Sequence, residues 1–329
     1  MGKNSAIEWT DHTLNFWQGC RPVSEGCVNC YMYRDKHRYG QDPTKVIRSK
    51  DATFRSARKW KTPAKVFVCS WSDFFIEEAD EWREEAWSEI RQAPHLTWII
   101  LTKRPQNISD RLPGDWGNGW PNVWLGVSAE NQPAADERIP ILLQTPAVVR
   151  FVSVEPMLGP LDLGKWIGPR MCYCGWRGYE WEEEDDPESD DETLCPNCGA
   201  SSLYELGDVD TCCGYSDDYE RHPIHWIIAG GESGHGARPC HPDWVRSLRD
   251  QAKAAGVSFF FKQWGEYCPC IPNNSFEPMV TNLDCVGVRG HKAVTMDDGL
   301  VMERVGKKKA GRLLDGREWN EMPEGSEEV

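Results

Sequence analysis

Seven short runs of aliphatic, β-branched and aromatic residues recur along the chain, and they constrain its fold more than any other feature. They cover residues 14–17, 65–71, 97–101, 123–127, 148–154, 225–229 and 258–261. Uninterrupted apolar runs of this length suit strands buried on both faces of a parallel sheet. Helical spacing appears between several of them. Residues 77–92 place Trp82, Ala86, Trp87 and Ile90 on one face, residues 132–143 open after the N-cap candidate Asn131, and residues 243–255 end at Gly256. Strand–helix alternation predicts an α/β fold.

The residues just past each run narrow the architecture to a partial (β/α) barrel. The runs lead in turn into Gly19-Cys20, Cys69-Ser70-Trp71-Ser72-Asp73, Thr102-Lys103-Arg104, Ser128-Ala129-Glu130-Asn131, Ser153-Val154-Glu155-Pro156, Gly230-Gly231-Glu232-Ser233 and Lys262-Gln263-Trp264. Strands end at surfaces, and surfaces are polar. Seven ends sharing reactive residue types point further, to the rim where the strand-to-helix loops of a barrel converge. No apolar run is long enough to span a bilayer, so no membrane partner is expected. The first residues lack an apolar signal core, which predicts a cytoplasmic protein.

Fourteen cysteines in such a chain read as metal ligands before disulfides. Cys20, Cys27 and Cys30 come after the first run as C-x6-C-x2-C. Three thiolates in one loop can hold three irons of a [4Fe-4S] cluster and leave the fourth open. The same spacing also suits zinc completed by another cysteine, His12 or His37. Further along, Cys172-x-Cys174-Gly175 and Cys195-x2-Cys198-Gly199 form two knuckle-like pairs that predict a structural zinc ribbon, with Cys212 and Cys213 as alternative ligands. Cys240, Cys268, Cys270 and Cys285 are irregularly spaced and read as isolated thiols. The expected division is a barrel in residues 1–168 and 223–265, a Cys-rich insertion in 169–222 and an extension in 266–329. The insertion carries nine acidic residues between 182 and 192, read as a solvated excursion.

A three-cysteine loop after the first strand of a partial barrel is the layout of radical S-adenosylmethionine (SAM) enzymes, although their usual first gap is three residues rather than six. The chain more closely resembles a phage-encoded family of radical-SAM-like proteins with a three-Cys motif. The segments that carry this resemblance are Ile7-Glu8-Trp9-Thr10-Asp11, the loop from Gly19 to Tyr31, Leu101-Thr102-Lys103-Arg104-Pro105, Leu125-Gly126-Val127-Ser128, Ser153-Val154-Glu155-Pro156, Ala229-Gly230-Gly231-Glu232-Ser233-Gly234, Phe261-Lys262-Gln263-Trp264-Gly265 and the tail from Gly306 to Arg317. The resemblance spans most of the chain outside residues 170–222.

It implies a radical-SAM barrel in the host cytoplasm, with Cys20, Cys27 and Cys30 on the cluster. SAM would chelate the open iron, and one electron, from a donor such as flavodoxin or ferredoxin, would cleave it to methionine and a 5′-deoxyadenosyl radical. By their positions at the rim, Ser70, Ser72, Asp73, Glu155 and Glu232 are candidates for SAM's polar groups, and Gly230 and Gly231 for close backbone approach to a ligand. Lys103, Arg104 and Lys262 are candidates for a substrate carboxylate or phosphate.

The net charge is −15, yet residues 45–65 hold eight basic residues against Asp51 alone, interleaved with Phe54 and Trp60. Lys307, Lys308, Lys309 and Arg312 form a second basic patch. Such patches suit phosphate contacts and base stacking, so a DNA or nucleotide partner is expected. The resemblance to a phage radical enzyme implies a hypermodified thymine in phage DNA as one concrete substrate, beside RNA modification and repair of a DNA lesion. The alternative is a metal-stabilised nucleic-acid-binding protein without catalysis.

Overall fold

A computed structural model describes residues 4–167, 224–269 and 292–323. All seven apolar runs contribute to one sheet. Its strands are β1 (His12–Leu14), β4 (Ala64–Val68), β5 (Leu96–Thr102), β6 (Val123–Ser128), β7 (Val149–Val154), β8 (Trp226–Gly230) and β9 (Ser258–Gln263). Two short strands between the first two, β2 (Trp17–Gln18) and β3 (Ile47–Arg48), pair separately. The seven are parallel throughout and lie in chain order, β1-β4-β5-β6-β7-β8-β9. No reversal of order occurs, so there is no switch point of the doubly wound kind. The first strand lies earlier than its apolar run predicts. The second stops at Val68 because the next residue, Cys69, has φ +56° and turns the chain.

Side-chain alternation divides the sheet into two apolar faces. One packs under the helices: Val66, Trp98, Leu125, Val152, Ile227 and Phe259 share a core with Trp87 and Ile90, with Ile139 and Leu142, and with Val245 and Leu248. Those residues belong to helices Asp80–Arg91, Gln132–Leu143 and Pro242–Ala254. The second helix is capped as its sequence predicts, with Asn131 accepting from the Ala134 amide at 3.1 Å. The other face carries Phe67, Ile99, Trp124, Phe151, Trp226 and Phe260 around Trp9.

Trp9 measures the curvature. Its ring lies 4.7 Å from Phe67 on β4 and 6.0 Å from Trp226 on β8. Those strands are four positions apart, about 19 Å in a flat sheet at the usual strand spacing. One indole can meet both only if the sheet curls around it, which makes a half-barrel with an aromatic floor.

The open edge at β9 is covered by the chain's last described segment. Phe261 donates to the Trp319 carbonyl at 3.0 Å, and Glu321 to that of Phe259 at 3.2 Å. Before it, β10 (Tyr267–Pro269), β11 (Ala293–Thr295) and β12 (Val301–Arg304) form a small antiparallel sheet. The expected zinc ligands Cys172, Cys174, Cys195 and Cys198, their alternatives Cys212 and Cys213, the acidic run, Cys270 and Cys285 lie outside the described residues. Cys240 and Cys268 are buried thiols. No described helix is long and apolar enough to cross a membrane.

Candidate functional site

The cysteine loop starts where β2 ends. Gly19 adopts φ +98° and packs against the Lys45 carbonyl, where a Cβ would sit 2.2 Å from the oxygen, so only glycine fits this turn. Cys20 comes next. A single turn, Glu25–Cys27, presents Cys27, and Cys30 occupies the N-cap position of helix Tyr31–Arg38. All three thiols are free and partly buried. Burial, reinforced by Asp73, pushes the Cys20 thiol up to about 12, against the pull of Arg104. Burial also raises Cys30. Cys27 adds to both shifts, which places its sulfur within electrostatic reach of the other two. The His12 ring packs on Trp60 at 4.5 Å and bonds the Asp11 carbonyl through Nδ1 at 2.8 Å, at the foot of β1. His37 is exposed on the helix after the loop.

Three strand ends grip this loop. From the end of β6, the fully buried Glu130 accepts from the Ser24 hydroxyl, from the Gly26 amide at 3.2 Å, from Lys103 Nζ at 3.3 Å and from Arg138 Nη1 at 2.9 Å. Burial opposes its charge, but Lys103, Ser24 and Arg138 outweigh that and hold the carboxyl down to about 2. A Cβ at Gly26 would lie 2.9 Å from the Glu130 carboxyl carbon, so glycine here lets the loop close onto the acid.

From the end of β8, Glu232 accepts from Asn29 Nδ2 at 3.0 Å and, around its own loop, from the Arg238 amide and guanidinium at 2.7 to 2.9 Å. Asn29 lies between Cys27 and Cys30, and Arg238 also donates to the Glu25 carbonyl at 3.2 Å. From the end of β5, Arg104 donates to Cys20 Sγ at 3.6 Å and to the Arg21 carbonyl at 2.7 Å. Its guanidinium is steadied by Asp73 at 3.3 Å.

The remaining rim residues fall into place around this loop. Asp73 is buried and already accepts from the Phe75 amide, Thr102 Oγ1, the Lys103 amide and Arg104, so it ties the ends of β4 and β5 together. Ser72 Oγ donates to the Gly19 carbonyl, and Ser70 Oγ pairs with the Asn15 side chain. Glu155 bonds Lys262 Nζ at 3.0 Å across β8 and sits over Gly230, where a Cβ would come within 2.6 Å of its oxygen. A Cβ on Gly231 would come within 1.9 Å of the Trp264 carbonyl. The two glycines therefore leave room for a side chain and a neighbouring backbone of this protein.

Sequence reasoning left Asn29, Glu130 and Arg238 without roles. Glu130 stood among the rim residues. The signal that could have promoted it is Gly26, a glycine between two cysteines that needs a partner close by.

The basic segment does not form the expected stacking surface. Phe54 and Trp60 are buried in the core. Arg48, Arg55 and Arg58 pair with Glu85 and Glu89 on the Asp80–Arg91 helix, at 2.7 to 2.9 Å where the contacts are of ordinary length. Three of the eight basic residues of this run are thus neutralised by that helix.

Three thiols in one loop are a donor set of the kind that holds thiolate-ligated metals. Among the described residues, no three His, Cys, Asp or Glu side chains converge on one point. A family model described as "Protein of unknown function (DUF5131)" matches residues 4–323. No curated protein and no solved structure matches the chain.

Proposed function

The chain belongs to the DUF5131 family. We propose, from its cysteine loop and barrel mouth, that it is a radical SAM enzyme acting on a nucleic acid or nucleotide, with Cys20, Cys27 and Cys30 as the ligands of a [4Fe-4S] cluster. One observation carries the reading: three free thiols share a single loop at the C-terminal mouth of a half-barrel, and three other strand ends hold that loop in place. A loop serving only as a connection has no use for buried Glu130, Glu232 and Arg104 as anchors. A metal site has, because ligand positions must be fixed before the metal arrives.

When bound, the reduced cluster would supply one electron to SAM, and SAM, split to methionine, would supply the carbon radical that takes hydrogen from the substrate. The chain's own residues would do the rest. Arg104 offsets negative charge on the Cys20 sulfur, and the apolar face under the helices keeps water from the strand side. Glu155 and Lys262 stand as a polar pair inside the mouth, able to bind the amino and carboxylate groups of an amino acid or a substrate's polar groups. Ser70 and Ser72 line the same rim. Asp73 and Glu232, whose oxygens are already engaged, act by holding the loop. The electron donor would be a flavodoxin or ferredoxin.

Anaerobic reconstitution with iron and sulfide, followed by EPR of the reduced protein with and without SAM, tests the proposal. A [4Fe-4S]⁺ signal that shifts on SAM addition and disappears in the Cys20→Ala/Cys27→Ala/Cys30→Ala variant is the expected result. Zinc alone, or a cluster indifferent to SAM, would sink it and favour a metal-stabilised nucleic-acid-binding protein.

A further inference from the structure

Cys20 differs from the other two thiols of its loop in what faces the sulfur. Arg104 Nη1 donates to Cys20 Sγ at 3.6 Å. Among the described residues, Cys27 meets the Ser24 hydroxyl at 4.0 Å, and Cys30 meets the backbone amides of Met32 and Tyr33. A cation hydrogen-bonds one sulfur of the three.

The guanidinium is held there from several sides. Its Nη2 donates to the Arg21 carbonyl at 2.7 Å, and its Nη1 also meets Asp73 Oδ2 at 3.3 Å. The Arg104 amide donates to Thr102 Oγ1 at 2.9 Å, and Thr102 in turn donates to the other oxygen of Asp73 at 2.7 Å. Arg104 is 4% exposed and Asp73 5%. Charges fixed in so poorly solvated a place act on the sulfur with little screening by water.

The free Cys20 thiol donates to the Arg21 carbonyl at 3.5 Å. A metal-bound thiolate has no proton to donate and can only accept, and Arg104 Nη1 is the donor already in place.

We infer that Arg104 sets the reduction potential of the cluster through its hydrogen bond and charge at the Cys20 sulfur, with Asp73 acting against it. Reduction adds one electron and no proton, so the negative charge shared between the cluster and its three thiolates grows by one. Hydrogen bonds to the sulfurs and nearby charges are the levers by which a protein shifts that equilibrium. Arg104 favours the reduced state and eases electron entry from the flavodoxin or ferredoxin. Asp73 opposes it and preserves driving force toward SAM. That a cluster binds here rests on the function proposed above. The direction of each residue's effect does not depend on SAM.

An EPR-monitored redox titration of the reconstituted full chain, without SAM, measures the potential. Arg104→Gln should lower the equilibrium constant for reduction by about tenfold, or about 59 mV for one electron. Asp73→Asn should move it the other way. A merely looser loop would shift both variants in one direction. That result, like an unchanged potential in Arg104→Gln, overturns the inference.

If either variant does not fold, the wild-type chain carrying 15N-guanidino-labelled arginine decides the matter. Pulsed EPR of its reduced cluster should show a 15N coupling from a guanidinium beside a cluster sulfur, and Arg104→Lys should lose or weaken it. Absence of that coupling in the wild-type chain overturns the inference. Potentials that shift as expected in a cluster indifferent to SAM would keep the role of Arg104 and remove the radical reading. A cluster that responds to SAM, with the same potential in Arg104→Gln, would do the reverse. Failure of the wild-type chain to take up iron overturns both.

Discussion

The two ends of the half-barrel are built from opposite chemistry. At the floor, Trp9, Phe67, Trp124, Phe151, Trp226 and Phe260 pack edge against face, with almost no polar atom among their side chains. At the mouth, a few residues further along the same strands, Asp73 with Arg104, Glu130 with Lys103 and Arg138, Glu155 with Lys262, and Glu232 with Arg238 form separate buried or half-buried ion pairs. Burying a charge is costly and is repaid only when partners are well placed. The floor therefore makes the fold stable, while the mouth uses that stability to hold a loop in a defined position. Mutations should separate these roles.

The largest effect is expected from Cys20→Ala/Cys27→Ala/Cys30→Ala, which should abolish iron uptake and leave the unfolding temperature of the metal-free protein nearly unchanged. Iron content by absorbance and a thermal melt read the two halves of that statement. A large loss of stability in the metal-free variant would mean that the thiols belong to the core.

At the floor, Trp226→Ala should cost about 3–5 kcal/mol through the cavity it leaves. Chemical denaturation measures this, and iron stoichiometry in the folded fraction should stay intact. Iron loss in that fraction would erase the distinction between the two ends.

At the mouth, Glu130 contributes a pH-dependent stability. Its folded value of about 2 lies below its ordinary 4.5, so the contribution is complete above pH 4.5 and lost as the pH falls toward 2. The size is roughly 3 kcal/mol by linkage. Glu130→Gln should flatten the acid limb of a melting-temperature profile. It should also loosen the cysteine loop, seen as slower or partial iron uptake, since Ser24 and Gly26 lose a charged acceptor.

A subtler outcome concerns the thiols themselves. Cys20 and Cys30 are raised by burial, so they are protonated at neutral pH and release protons when metal binds. Iron uptake should strengthen as the pH rises and weaken as it falls, in a titration followed by released protons. The smallest effect is expected from Lys59→Ala/Lys61→Ala in the basic segment. If that run is no nucleic-acid surface, oligonucleotide affinity should change by less than about twofold, as for scattered surface charges.

The strands were legible in the sequence because a two-sided buried strand leaves a local signature, an unbroken apolar run, that survives without knowledge of its neighbours. The same holds for the Gln132–Leu143 helix, whose Asn131 cap acts on residues within one turn. The three cysteines were visible for a similar reason, since they share one loop. Their supports were not. Gly26 and Glu130 are 104 positions apart, and Asn29 and Glu232 are 203 apart. No local pattern encodes such a pairing.

Phe54 and Trp60 illustrate the opposite error. Their neighbours Arg55, Arg58, Lys59 and Lys61 made them look like an exposed basic surface, but burial depends on what packs against a residue, not on the residues beside it in the chain. Gly230 and Gly231 were legible as positions without room for a side chain. Only the fold decided that the space is filled by Glu155 and the Trp264 backbone.

The sequence by itself determined the succession of strands, the polar rim and the three-thiol loop, because each is written in short-range periodicity and spacing. The tertiary structure alone decided how far the sheet curls, which carboxylates clamp the loop and which side chain faces the Cys20 sulfur. Those depend on contacts between distant segments, whose energies exist only once the chain has closed on itself.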